Sequence, residues 1–94
     1  MARLRKQLPA HLGAGELHCR GFTGPVDYEI QGDPATLRLG PLRLRGSITA
    51  TPEVAAEVFR AGEAELKLEN GAAFRLTLLG HSAGSDIAYF EMRV

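Results

Sequence analysis

Val26, Tyr28 and Ile30 alternate with Asp27, Glu29 and Gln31, and an alternation of this kind recurs along most of the chain from about residue 15 onward. A pattern of period two belongs to a strand with one face in a core and the other in water, because successive side chains point to opposite faces. No feature of the chain restricts its fold more. Thr23-Gly24-Pro25 before this segment and Gly32-Asp33-Pro34 after it read as turns. Leu37 and Leu39 then alternate with Arg38, and after Gly40-Pro41 the phase flips, so that Leu42 and Leu44 alternate with Arg43 and Arg45. Two local structures account for the flip. A two-residue hairpin at Gly40-Pro41 would keep the leucines on one face and set Arg38 opposite Arg43; a single strand with a bulge would do the same to the parity.

The register test is sharper further on. Ala64, Leu66 and Leu68 alternate with charged residues, and after Asn70-Gly71 so do Phe74, Leu76 and Leu78 with Arg75, Thr77 and Leu79. A two-residue Asn-Gly hairpin would put Leu66 opposite Arg75 and mix the faces. A three-residue loop, Asn70-Gly71-Ala72, pairs Leu68 with Phe74 and Leu66 with Leu76 and keeps the apolar residues together. In the last segment Ala88, Phe90, Met92 and Val94 share one side, and Ile87, Tyr89, Glu91 and Arg93 share the other. One stretch breaks the period: Thr51-Pro52-Glu53 supplies an N-cap, a proline at the first helical position and an acid in the first turn, and Gly62 ends the element. Val54, Val58 and Ala61 form its apolar stripe, flanked by Ala55 and Phe59. About ten residues are too few for a stable isolated helix, so it must lie on the sheet. The expected fold is mainly β (α+β), an antiparallel sheet of about seven short strands curled into a small barrel or sandwich, with one helix over about 52–61.

A chain of 94 residues suits one domain, which buries roughly 65% of its extended surface without metal or disulfide staples. Residues 13–94 are assigned to it, and residues 1–12 to a basic N-terminal arm, mobile or part of an interface. Met1 to Lys6 is basic but no apolar stretch follows in Gln7 to Leu12, so export is not expected. Cys19 is the only cysteine and fits a reducing compartment, which makes a cytoplasmic protein without a membrane segment the expectation. Formal net charge is zero, which removes the general electrostatic footprint of a phosphate-backbone binder.

Gly80-His81-Ser82-Ala83-Gly84 resembles the G-x-S-x-G pentapeptide of α/β-hydrolases, whose serine stands on a turn between a strand and a helix. The resemblance covers five residues. In that family the acid and then the histidine follow the serine, whereas no histidine follows Ser82 and the segment after Gly84 reads as a strand. The loop is therefore expected to be a polar hairpin and the protein not to be an enzyme. His18, Cys19, His11 and His81 match no recurring zinc spacing, and neighbours on a strand face opposite ways, so neither metal nor cofactor is expected.

Two surface sets remain. Arg38, Arg43 and Arg45 could line one strand face and hold an anion, a nucleic-acid backbone or an acidic partner. No aromatic residue lies between residues 29 and 58 to interleave with them, which argues against single-stranded nucleic acid. Leu79, Ile87 and Tyr89 stand on the face opposite Leu78 and Phe90, either beneath the helix or as an exposed association patch. The expected function is a small binding module that contacts a partner protein or itself, as a homodimer, through sheet surface.

Overall fold

The computed structural model of the chain describes residues 10–32 and 43–93. Six strands and one helix follow in the order β1 (Ala10–Cys19), β2 (Phe22–Gln31), β3 (Leu44–Thr49), α1 (Pro52–Ala61), β4 (Glu63–Lys67), β5 (Ala73–His81) and β6 (Ile87–Arg93). Every strand pair is antiparallel, and the order β1-β2-β3-β6-β5-β4 closes on itself as a barrel. Closure settles the choice between barrel and sandwich. The proposed hairpin at Gly40-Pro41, the seventh strand it implied and Arg38 all lie outside the described residues, as do residues 1–9 of the proposed arm.

Two three-stranded meanders, β1-β2-β3 and β4-β5-β6, make up the wall, joined by β3–β6 and β1–β4 pairing. Strands β3 and β4 stand on opposite walls, so α1 must cross the mouth of the barrel to connect them. The alternation directs the core as expected: Val26, Tyr28, Ile30, Ile48, Leu66, Phe74, Leu76, Leu78, Ala88, Phe90 and Met92 are all buried. Helix α1 closes one end with Ala55 and Val58, both fully buried, whereas Phe59 is exposed. Its start follows the sequence signal. Val54 N–H donates to Thr51 Oγ1 (3.2 Å), and at the other end Gly62 N–H reaches the Val58 and Phe59 carbonyls.

Three expectations need correction. Strand β2 begins at Phe22, so Thr23-Gly24-Pro25 is strand and the turn is Arg20-Gly21. Pro25 is tolerated because β3 pairs only with Asp27–Gln31, leaving the first half of β2 with a single neighbour and no ladder bond for the missing N–H to make. Strand β1 starts at Ala10, inside the span given to the arm. Its inward positions include Gly13 and Gly15, which leave no apolar signal to read. The β4–β5 loop has three residues, but they are Glu69-Asn70-Gly71: Leu66 pairs with Phe74 and Ala64 with Leu76, and Leu68 N–H donates to the Ala72 carbonyl (2.8 Å). Gly71 takes a left-handed φ of 90° that closes this turn, and Asn70 Oδ1 accepts from Ala72 N–H (2.9 Å). The register moves by two residues, so every side chain keeps its face.

The candidate binding face

The serine of the pentapeptide sits in a hairpin. Strand β5 ends at His81 and β6 begins at Ile87, and Ser85 N–H donates to the Ser82 carbonyl (2.9 Å) across a turn that Gly84 completes with a φ of 83°. His81 Nε2 lies 2.8 Å from the Ser85 carbonyl oxygen. A carbonyl only accepts, so this nitrogen carries the proton and points away from any base role toward Ser82. Among the described residues no side chain hydrogen-bonds to Ser82 Oγ. The strand–turn–helix that aims a nucleophile is replaced by strand–turn–strand.

His18 and Cys19 face opposite sides of β1. His18 Nε2 meets Glu16 Oε1 outside (3.2 Å), whereas Cys19 turns toward the half-buried layer under α1, where burial raises its thiol pKa above the ordinary value of 9.0, against a lowering backbone hydrogen bond and with Glu57 adding to the rise. His11 stands at the other end of the same strand, stacked on Tyr28 at 6.1 Å between ring centroids. Among the described residues no three His, Cys, Asp or Glu side chains converge as a metal site.

Apart from Arg38, which lies outside the described residues, the two surface sets read from the sequence are neighbours on one wall. Across β2, β3 and β6 the outward residues fall in level rows: Asp27, Thr49 and Ile87; Glu29, Ser47 and Tyr89; Gln31, Arg45 and Glu91. Glu29, Gln31, Arg45, Ser47, Ile87 and Tyr89 line one groove of about 360 Å³ on this outer wall. Leu79 joins from β5. Leu78 pairs with Phe90 and Gly80 with Tyr89, so Leu79 is the extra residue of a β-bulge and stands outward beside Tyr89. Tyr89 is 55% and Leu79 48% exposed, while Ile87 is half-buried. None of the three lies beneath α1, whose buried residues point into the barrel.

Arg43 and Arg45 share one acid. Arg43 Nη1 is 3.3 Å from Glu91 Oε1 and Arg45 Nε is 4.0 Å from Glu91 Oε2. Both guanidiniums remain solvated, so each contact contributes between zero and about 1 kcal/mol. Sequence reading missed two further arginines on this wall. Arg75 and Arg93 are directly opposed across β5 and β6, yet they are eighteen positions apart, and only the pairing of those strands brings them together.

No helix among the described residues is long and apolar enough to cross a membrane. No protein-family model matches the chain, and neither a curated protein nor a solved structure matches it.

Proposed function

We propose that the protein is a small, non-catalytic, cytoplasmic interaction module that binds a second copy of itself through the outer wall around Tyr89. One observation carries this reading. Tyr89 and Leu79 stand exposed side by side on the outside of the barrel, and among the described residues the core is filled by other side chains. Rigid aromatic side chains beside a shallow groove are the usual anchors of protein interfaces, and the flanking Arg45, Glu29 and Glu91 supply a polar rim. Zero net charge lets two copies approach without long-range repulsion. The single, partly buried thiol suits a reducing compartment.

Light scattering across a range of concentrations tests the association. The mass should rise toward that of a dimer, and Tyr89→Ala should weaken the dimer by about tenfold or more, the usual effect of removing an aromatic anchor. A wild-type protein that stays monomeric at the highest concentration, with the Tyr89 ring open to solvent, would overturn the reading. The non-catalytic half is tested with an activated ester. Wild type and Ser82→Ala should give the same rate; turnover lost on substitution would show an enzyme.

A further inference from the structure

The outer wall of β2, β3 and β6 carries opposite charges beside its apolar patch. Glu29 and Arg45 both line the groove next to Tyr89, on neighbouring strands and one outward row apart. With strands about 4.8 Å apart and about 6.8 Å between successive outward residues, their Cα atoms stand about 8 Å apart on a diagonal. Neither charge is fully answered within the chain. Arg45 is 75% exposed, and its contact with Glu91, at 4.0 Å, is at the limit for an ion pair. Glu29 is exposed and, among the described residues, its side chain meets only the neutral Gln31 amide (3.1 Å). The apolar residues flank Tyr89 in turn: Ile87 stands two residues before it on β6, and Leu79 stands beside it in the β5 bulge.

We infer that two copies of the chain pack through this wall about a two-fold axis that crosses the strands obliquely over Tyr89, with Arg45 of each copy against the partner's Glu29. The inference rests on the association through Tyr89 proposed above and adds its geometry. In a face-to-face dimer the axis lies in the contact plane, and each residue meets the one at its mirror position across that line. An axis passing midway between Glu29 and Arg45, at right angles to the diagonal that joins them, runs within about 2 Å of Tyr89 on the spacings above. Tyr89 therefore meets the partner's Tyr89. The same axis carries Leu79 onto the partner's Ile87. The two charges alone define the axis, yet it also brings all three apolar residues together. Glu91 falls nearest the partner's Asp27 and the partner's Thr49, and Arg43, 3.3 Å from Glu91, offsets the acid there.

Charge reversal tests the pairing, read as the dimer dissociation constant of the full chain by sedimentation. Arg45→Glu and Glu29→Arg should each weaken the dimer about tenfold or more, since each sets two like-charged pairs face to face. An equimolar mixture of the two variants should regain the affinity of the wild type, because in the mixed dimer both pairs are again of opposite charge. Mixing cannot repair a misfolded chain, so recovery excludes a merely structural effect. Isotope-filtered NOEs on a half-labelled wild-type sample need no variant and should join the Leu79 and Ile87 methyl groups across the two copies. A mixture of folded variants that stays as weak as its components, or a dimer that lacks the cross-copy NOE, would overturn the arrangement. A dimer that withstands both reversals but is lost in Tyr89→Ala would overturn it too, and would leave the association through Tyr89 standing. A wild type that stays monomeric removes both.

Discussion

Three inward glycines determine how the barrel interior is filled. A Cβ on Gly46 would lie 2.3 Å from the Glu29 carbonyl oxygen and 2.8 Å from the Phe90 ring, and one on Gly15 would lie 2.3 Å from the Lys67 carbonyl oxygen. A Cβ on Gly13 would meet the Tyr28 hydroxyl at 2.5 Å. These positions are left empty so that two large rings can enter. Phe90 is fully buried, and Tyr28 reaches across the barrel to accept a hydrogen bond from Glu69 N–H (3.4 Å), while Glu69 Oε2 accepts from Ala14 N–H (2.9 Å). Gly46→Ala should therefore destabilise the protein by about 2–3 kcal/mol, the cost of overpacking against backbone that cannot yield. Urea unfolding should show a lower midpoint at unchanged slope. Gly80→Ala is the control. Nothing lies within 4 Å of its added Cβ, and its midpoint should barely move. A midpoint for Gly46→Ala equal to that of the wild type would contradict this account of the core. Sequence alone hid the role of these glycines, because an absent side chain on an inward position looks like a break in the alternation.

The elements divide into those set locally and those set by their surroundings. Helix α1 belongs to the first kind at its start and to the second in its orientation. Thr51→Ala removes the acceptor for Val54 N–H and should cost about 1 kcal/mol, read as a fall in thermal or urea stability with the fold retained. A loss near zero would mean that the barrel alone holds the first turn. The stripe of Val54, Val58 and Ala61 was legible from spacing, yet the fully buried pair is Ala55 and Val58. The difference has a geometric cause: a helix across a round mouth contacts the rim on several sides at once and buries the narrow line facing the centre, whereas a flat sheet would take a broader stripe. Phe59, left outside that line, stands exposed with its ring centroid 6.1 Å from that of His81. The β5 bulge is likewise invisible in the alternation. It decides that Leu79 flanks Tyr89, an adjacency that the alternation alone does not place.

At the scale of the molecule, the barrel has one short seam. Strands β1 and β4 pair only through Glu16–Cys19 and Ala64–Lys67, while β1 and β2 pair along their full length. Closure at this seam is the step with the fewest ladder contacts, so local opening should begin there. Native-state hydrogen exchange should find the amides shared by β1 and β4 less protected than those between β3 and β6 or β5 and β6. Uniform protection around the barrel would show that the wall opens only as a whole. Alternation by itself determined which face of each strand turns inward, because burying apolar side chains is the largest favourable term and repeats every second residue. Capping residues likewise determined where the helix starts and stops. Only the tertiary structure decided which strands are neighbours, and with that the row of Glu65, Arg75 and Arg93 and the meeting of Tyr89 with Arg45 in one groove. Strands pair through backbone N–H and C=O groups that every residue carries alike, so the choice of partner leaves almost no mark on the side chains until the barrel has closed.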